Sequence, residues 1–417
     1  MQFSLDRVDK RIEELRDFTV KTLCDLISYP TVNPPGDKYR EITEYLTSVL
    51  KELGLDVRVF EVPKHIVAKY YPDYADYPRY NIIARVSKGS GPVIHFNGHY
   101  DVVPAGSGWT MNPYKPVVRD GRVYGRGASD MKGGIATIIT MAKAIVESDI
   151  EFNGTIELSF TPDEETGGQT GVGYIVEQGI VKPDYAIVAE PSSLNMIWIG
   201  NKGAVWLLVE VFGKQAHGST PWRGINAFEM MVKLAYRIIY ELKPKIELKK
   251  SKYEYDEPEG AKATITIGGE VRGGAKVNIV PGYYAFTIDR RVIPEETVDE
   301  AEREILNFID KVRRDIPELN VKTRVLAKFD ATVTDPTTPL VQTAIKSAEE
   351  VLKTKPRVTV CIGGLDTRYF QTRGIQAITY GPGIPAVAHT SDEYIHIDDM
   401  VAMAKIYSRI VLSLLAK

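Results

Sequence analysis

The predicted order of secondary-structure elements changes near residue 204 and changes back near residue 335. Before the first point, helical and strand patterns alternate, as in an α/β domain whose helices cover a mixed sheet. Residues 204–330 instead predict strand, helix, strand, strand, helix, strand, which is the βαββαβ unit of ferredoxin-like folds. We therefore predict an α/β mixed-sheet domain formed by residues 1–203 and 331–417, interrupted by a smaller ferredoxin-like domain.

Hydrophobic periodicity assigns the individual elements. In the α/β parts, helices are predicted over 5–28, 39–53, 170–178 and 338–353, after Lys132 and at the C-terminus, and strands over 55–62, 154–162, 185–191, 357–361 and 376–382 and on both sides of the Gly-Ser-Gly turn at 89–91. In the inserted segment, strands are predicted over 204–213, 262–271, 283–292 and 319–329, and helices over 224–243 and 295–314.

Charge and cysteine content limit the partners and the compartment. The chain has 52 basic and 55 acidic residues, a net charge of −3, so it has no basic field to hold nucleic acid or anionic lipid. It has no apolar run of about 18 residues, and its N-terminal segment mixes charged and apolar residues, unlike a signal peptide. Two cysteines, Cys24 and Cys361, cannot form a disulfide framework. These features predict a cytoplasmic protein without nucleic-acid or membrane partners.

Three of the six histidines lie in polar motifs, and the first is His99 in the segment GHYDVVP. Side chains alternate along a strand, so His99 and Asp101 face the same way. An aspartate at this spacing can accept the second ring N–H and leave the other nitrogen free to bind a metal. Taken alone, the motif favours a structural histidine over a metal ligand.

A glycine-rich segment, RVYGRGASDMKGG at 122–134, presents Asp130 at the start of a predicted helix. The glycines allow a tight turn and a close approach of the backbone to other groups. The segment lacks the G-x-x-x-x-G-K-[ST] spacing of a phosphate loop, and its GRG falls short of the dinucleotide fingerprint. Nucleotide binding is therefore disfavoured.

More carboxylates and another imidazole lie near the ends of predicted strands. Glu164 and Glu165 follow one strand, Glu190 ends another, and His389 precedes the last helix; the acidic pair alone would also fit a solvated loop. Because α/β folds place ligand sites at the carboxyl ends of strands, we expect these residues to converge. Two divalent cations would neutralise their charge, and mixed imidazole and carboxylate ligands suit zinc, with cobalt or manganese as substitutes.

The motif order GHYDVVP, GRGASDMKGG, DEETGG, EP and HTSDE resembles the co-catalytic zinc aminoacylase and carboxypeptidase superfamily. That superfamily includes acetylornithine deacetylases and succinyl-diaminopimelate desuccinylases. The resemblance spans almost the whole chain, and the βαββαβ insert lies where the family has its lid and dimerisation domain. It therefore implies a zinc-peptidase catalytic domain and a homodimer formed through the insert.

The resemblance also implies the role of each candidate residue. The two zinc ions of each subunit would be held by His99 and Glu190, by Glu165 and His389, and by Asp130 as the bridge. Asp101 would orient His99, and Glu164 would be the general base. In the family the peptide bond after the bridging aspartate is usually cis, here the bond between Asp130 and Met131.

The inserted domain carries two further segments that resemble those of the family. GKQAHGSTPW contains His217, which would reach a neighbouring active site and stabilise the oxyanion; a surface-loop histidine is the alternative. NIVPGYYAFTIDRR contains Asn278 and Arg291, which would contact the substrate carboxylate, although Arg290 stands next to the latter.

Two other segments have less specific signals. In IGGLDTRYF, Gly363 and Gly364 would let backbone N–H groups approach the substrate, and ordinary turn glycines are the alternative. The tyrosine-rich segment 70–80 fits either a surface loop ordered by its rings or a substrate-facing loop.

The function implied is that of a metal-dependent amidohydrolase or metallopeptidase. Its substrates would be N-acyl amino acids or short peptides, cleaved at the amide bond by a metal-bound hydroxide, so that deacylase, desuccinylase and exopeptidase activities all remain open. A non-catalytic zinc-dependent binding or regulatory protein on the same fold is the alternative. Glu164 argues against it, because a binding protein needs metal ligands but no proton shuttle.

Overall fold

The computed structural model describes residues 2–416 and divides into two compact units. The larger unit contains Met1–Gly200, Thr334–Thr359 and Leu365–Lys417, and the smaller contains Asn201–Val333 and Val360–Gly364. The sequence boundaries 204–330 thus lie inside the smaller unit, which also takes in a short segment near residue 362.

Within residues 2–416, the helices and strands have the following bounds. The helices are α1 Gln2–Glu14, α2 Arg16–Ile27, α3 Tyr39–Glu52, α4 Lys64–Tyr70, α5 Gly133–Glu147, α6 Val172–Glu177, α7 Ala227–Arg237, α8 Lys243–Glu247, α9 Val298–Asp315, α10 Pro339–Leu352, α11 Thr367–Gln371 and α12 Ile397–Leu414. The strands are β1 Asp56–Glu61, β2 Tyr80–Lys88, β3 Val93–His99, β4 Val117–Arg119, β5 Arg122–Tyr124, β6 Gly154–Thr161, β7 Tyr185–Val188, β8 Met196–Asn201, β9 Gly203–Phe212, β10 Ala216–His217, β11 Thr264–Gly273, β12 Ile279–Val280, β13 Tyr283–Val292, β14 Asn320–Phe329, β15 Thr332–Val333, β16 Arg357–Cys361, β17 Gln376–Thr379 and β18 Tyr394–His396.

The main sheet is mixed and has the strand order β1-β2-β6-β3-β7-β17-β8-β15, with β16 paired to β8. Its centre is parallel, because β3 runs parallel to both β6 and β7, and β17 runs parallel to β7. These central strands are almost entirely buried, as is helix α5, and the buried positions of β3 and β6 include polar residues such as His95, Asn97 and Glu157. The carboxyl ends of four strands therefore meet at one edge.

The smaller unit has an antiparallel four-stranded sheet of order β11-β13-β9-β14, the arrangement expected for βαββαβ. Its core joins the inner faces of these strands to α7 and α9, through residues such as Leu207, Ile288, Leu234, Ile305 and Phe308. The predicted fold class, an α/β mixed-sheet domain with an inserted ferredoxin-like sheet, is confirmed.

Local differences from the sequence prediction have local causes. The helix predicted over 5–28 is two helices, since Leu15 leaves helical geometry between α1 and α2. The helix predicted from 224 begins at Ala227, because the side chain of Asn226 caps it by accepting from two backbone N–H groups. Strand β8, which has only four consecutive apolar residues, Met196 to Ile199, was missed by the prediction.

Two findings bear on the predicted setting of the chain. Neither Cys24 nor Cys361 forms a disulfide bond. Within residues 2–416, no helix has the length and apolar character that crossing a bilayer requires.

Candidate metal centre

The candidate metal ligands are placed by the carboxyl ends of the parallel strands. His99 is the last residue of β3, Glu164 and Glu165 form a short turn after β6, and Glu190 follows β7. His389 lies in the loop between β17 and β18. The α/β topology thus brings together side chains that are far apart in the sequence.

Asp130 lies between the two imidazoles. Its Oδ1 is 3.2 Å from Nε2 of His99, and its Oδ2 is 3.2 Å from Nε2 of His389. One carboxylate therefore faces both ring nitrogens, each through a different oxygen. In this position, one carboxylate would be able to serve two cations.

The remaining carboxylates pair with one imidazole or the other. Glu190 lies 3.3 Å from Nε2 of His99, and Glu165 lies 3.0 Å from Nε2 of His389. Two groups of ligand atoms are close enough to hold an ion, namely His99 with Glu164 and Glu190, and His99 with Asp130 and Glu165. Imidazole nitrogens and carboxylate oxygens in this mixture fit zinc and similar divalent cations.

The crowding of carboxylates shifts their proton affinities. Burial raises the pKa of Glu164 well above its usual value, and the neighbouring Glu190 raises it further. Burial likewise raises the pKa of Glu190 to about 8. Hydrogen bonds to Asp130 and Glu165 raise the pKa of His389 to about 10. Cations held among these groups would stabilise the ionised carboxylates and the neutral imidazole, so the charge distribution fits a metal centre.

Asp101 connects His99 to the turn that carries the acidic pair. Its carboxylate accepts from the backbone N–H groups of Glu164 and Glu165, each at 3.2 Å, and from Nδ2 of Asn33 at 3.0 Å. Nδ1 of His99 is 3.0 Å from the backbone oxygen of Asp101 and 3.4 Å from its Oδ1. The aspartate therefore lies where it can orient both the ring and the turn.

Glu393, which the sequence analysis did not single out, holds the backbone around Asp130. Its buried carboxylate accepts from Arg126 at 2.6 Å and from the backbone N–H groups of Gly127, Ser129 and Asp130 at 2.8–3.0 Å. The peptide bond between Asp130 and Met131 is cis, as the family resemblance led us to expect. The only sequence signal for Glu393 was its place in the HTSDE motif.

A second cluster that the sequence did not predict supports the acidic turn, which is the turn that carries Glu164 and Glu165. Asp163 is fully buried beside Arg79, with Nε 2.6 Å from Oδ2, and accepts from Asn33 and the hydroxyl of Tyr39. The Arg79 guanidinium also lies over the ring of Tyr71, in the tyrosine-rich segment. Part of that segment is therefore built into the support of the acidic turn.

Helix α11 contacts the other end of this turn. The hydroxyl of Tyr369 donates to the backbone oxygen of Gly167 at 2.6 Å, and Arg368 donates to the same oxygen. Asp366, just before α11, is fully buried, and burial raises the pKa of its carboxyl to about 6. Within residues 2–416, neither of its carboxylate oxygens has a hydrogen-bond partner.

In the smaller unit, His217 and Asn278 are neighbours. Strand β10 pairs with β12 so that His217 stands opposite Ile279, and the backbone oxygen of Asn278 accepts from the N–H of Gly218 at 2.8 Å. The side chains of both predicted residues are exposed.

The two adjacent arginines of β13 differ in their environment. Arg290 is buried and donates from Nη2 to both carboxylate oxygens of Glu296, whereas Arg291 is partly exposed and lies 2.9 Å from Asp289. Arg290 therefore has its charge satisfied internally, and Arg291 is the more accessible of the two. Gly363 donates its N–H to Sγ of Cys361, and both predicted glycines, Gly363 and Gly364, belong to the smaller unit.

Comparison with known proteins gives a consistent result. The sequence model of Peptidase family M20/M25/M40 matches residues 95–413. An uncharacterized metallohydrolase of Methanocaldococcus jannaschii is 28% identical over 95% of this chain and 100% of that protein. A succinyl-diaminopimelate desuccinylase of Sulfurimonas denitrificans is 30% identical over 77% of this chain and 84% of that protein. Among solved structures, a tripeptidase from Staphylococcus aureus is similar in fold, with a TM-score of 0.76, 21% identity, and coverage of 96% and 99%.

Proposed function

Since this chain is a metallohydrolase that belongs to peptidase family M20/M25/M40, we propose that it hydrolyses the amide bond of N-acyl amino acids or short peptides with two zinc ions per subunit. The observation that carries this proposal is the placement of Asp130, whose two oxygens face His99 and His389 separately. Cobalt or manganese can take the place of zinc with this ligand set.

The proposed ligands divide into two sets that share the aspartate. His99 and Glu190 belong to one cation, Glu165 and His389 to the other, and Asp130 to both. Bound cations would supply Lewis acidity, which polarises a carbonyl and lowers the pKa of water. Asp101 and Glu393 keep the ligands in place through their bonds to the backbone beside them.

Glu164 is the proposed general base. It is buried in the site and follows Asp163 and precedes Glu165 in the sequence. The carboxylate that faces His389 belongs to Glu165 and not to Glu164. Burial raises its pKa, which suits a group that must accept a proton and return it near neutral pH. It would take a proton from water and deliver it to the leaving amine.

The proposed substrate contacts lie at opposite ends of the smaller unit's sheet. Arg291 pairs with Ala204 at one end of β13, whereas His217 and Asn278 lie beyond Tyr283 at the other end. The strand between them spans about 27 Å at the usual antiparallel rise. Because a small substrate cannot bridge that distance, we assign Arg291 to one active site and His217 with Asn278 to a site in a partner subunit.

A homodimer is therefore part of the proposal, and the smaller unit offers a surface for it. Helix α7 and the helical turn after it expose Phe228, Val232, Tyr236 and Tyr240, spaced four residues apart on one face. A stripe of this kind is typical of a helix that packs against another protein surface. Pairing of this face between two copies would remove its apolar side chains from water.

The substrate is the open part of the proposal, and a panel of compounds tests it. The zinc- or cobalt-loaded protein would be assayed with succinyl-diaminopimelate, acetylornithine, acetyl-lysine, dipeptides, tripeptides and acyl-capped peptides. We expect metal-dependent release of a free amine from one class. Stoichiometric binding of a compound without turnover would instead favour the non-catalytic alternative. Since Cys24 and Cys361 form no disulfide, we propose a reducing, cytoplasmic setting for either function.

A further inference from the structure

The ring of His217 has a hydrogen-bond environment of its own. Its Nδ1 accepts from the backbone N–H of Ser219 at 3.1 Å, and the Ser219 hydroxyl oxygen lies 2.7 Å from the same nitrogen. Both contacts come from one residue, two positions further along the chain. They reach the ring from the turn that follows β10.

A backbone N–H can only donate, so it decides which ring nitrogen carries the proton. Nδ1 of His217 must present its lone pair to Ser219, and in the neutral imidazole the proton then resides on Nε2. Nε2 is consequently a hydrogen-bond donor and has no lone pair to offer a metal ion.

His99 shows the opposite arrangement. Its Nδ1 lies 3.0 Å from the backbone oxygen of Asp101, and a carbonyl oxygen can only accept. Nδ1 of His99 therefore carries the proton. This leaves Nε2, 3.2 Å from Asp130 and 3.3 Å from Glu190, as the nitrogen whose lone pair would bind a cation held with these carboxylates. The backbone thus selects a metal-binding tautomer for one histidine and a donating tautomer for the other.

We propose that Ser219 is a positioning residue that fixes His217 as the Nε2–H tautomer, so that His217 acts as a hydrogen-bond donor and neither as a base nor as a metal ligand. This inference rests on the proposed function, in which His217 stabilises an oxyanion on a partner's substrate. A donor is what a developing negative charge requires.

The backbone of the turn does not depend on the Ser219 side chain. The N–H of Thr220 donates to the backbone oxygen of His217 at 2.8 Å, and the N–H of Gly218 donates to Asn278 at 2.8 Å. Replacing Ser219 by alanine therefore removes the hydroxyl and leaves the turn and its N–H in place. Thr220 provides a matched control, because its hydroxyl donates to the backbone oxygen of His217, at 3.4 Å, and not to the ring.

The tautomer itself is measured by NMR. The zinc-loaded protein, labelled with ¹⁵N-histidine, is examined at about pH 8. The His217 signals are identified by their loss in His217→Gln. We expect Nδ1 of His217 to resonate as an unprotonated nitrogen and Nε2 as a protonated one, with the reverse pattern for His99. A protonated Nδ1 in His217 would overturn the inference.

Kinetics then test the contribution of the hydroxyl. Ser219→Ala should lower kcat about fivefold with KM unchanged, Ser219→Thr should restore it, and Thr220→Ala should match the wild type. An equal loss in Thr220→Ala, or a change in KM alone, would contradict the assignment. Failure of the wild type to hydrolyse any amide would refute the proposed function and leave the NMR result standing, so the two failures are distinguishable.

Discussion

Glu164 and Glu165 are adjacent carboxylates with different neighbours, and one substitution at each separates their roles. Glu164→Gln should lower turnover by at least about 10²-fold while two metal equivalents stay bound, because the residue is assigned to proton transfer. Glu165→Gln, the matched variant, should lose one equivalent, since Glu165 faces His389 at 3.0 Å. Metal content by atomic emission and kcat for one substrate provide the test. Loss of metal from the Glu164 variant would show that the roles of Glu164 and Glu165 are reversed. The variant tests this directly, because Glu164 lies close enough to His99 and Glu190 to hold an ion with them.

The buried carboxyl of Asp366 should make the stability of the folded chain depend on pH. Its pKa is raised from 3.8 to about 6 by burial, so the folded chain holds this proton more tightly than the unfolded chain does. The resulting stabilisation is complete below about pH 4 and is lost as the pH rises through about 6. Asparagine cannot ionise, so Asp366→Asn avoids this loss of stabilisation at high pH. The metal-free variant should be more stable than the metal-free wild type by up to about 3 kcal/mol at pH 8, with little difference at pH 4.

Thermal unfolding of the chelated protein at several pH values measures this difference. The exposed Asp310→Asn serves as the control and should follow the wild type at every pH. A constant difference between Asp366→Asn and the wild type across the range would mean that the carboxyl of Asp366 does not titrate in the folded chain over that window.

At the scale of elements, Glu393 ties the loop before α12 to the turn before α5. Glu393→Ala removes the acceptor of the buried Arg126 and of three backbone N–H groups, so the free energy of unfolding should fall by about 3–5 kcal/mol. The exposed pair of Arg16 and Asp398 is the control, and Asp398→Ala should cost less than about 1 kcal/mol. Chemical denaturation of both variants provides the comparison, and equal losses would refute the role given to Glu393.

The elements themselves were largely predictable from the sequence. Hydrophobic periodicity located the central strands and the long helices, because these strands are buried on both faces and the helices on one. The break at Leu15 and the short strand β8 were not predicted, since Leu15 has no glycine or proline to mark it and β8 is only six residues long. Tertiary packing decides such local boundaries.

The candidate site was predictable where its residues lie in motifs and unpredictable where they act through distant partners. Arg79 and Asp163 are 84 positions apart, and Arg126 and Glu393 are 267 apart, so no local pattern joins them. The packing of Asp101 beneath the acidic turn likewise depends on the pairing of β3 with β6. Only the fold brings such groups together.

At the scale of the whole molecule, the exchange of His217 between subunits has a direct genetic test. His217→Ala and Glu164→Ala chains are inactive alone and are co-expressed or refolded together. In a heterodimer, the site on the His217→Ala chain keeps its own Glu164 and receives His217 from its partner, while the other site lacks both. Random mixing makes about half of the dimers mixed, so activity should recover to about a quarter of the wild-type value per chain.

Light scattering and a tag on each chain establish that mixed dimers have formed. Recovery of activity supports the assignment of His217 to the partner's site. Absence of recovery in verified mixed dimers would mean that His217 acts within its own chain or has no role in the reaction.

The dinuclear centre shared by Asp130 is the central claim, and a metal titration tests it most directly. Metal-free protein is titrated with zinc while bound metal and amide hydrolysis are measured on the same samples. The arrangement of His99, His389 and the carboxylates predicts saturation at two equivalents per chain, with full hydrolysis only when metal is bound. Full activity in verified metal-free protein, or saturation at a single equivalent, would contradict it.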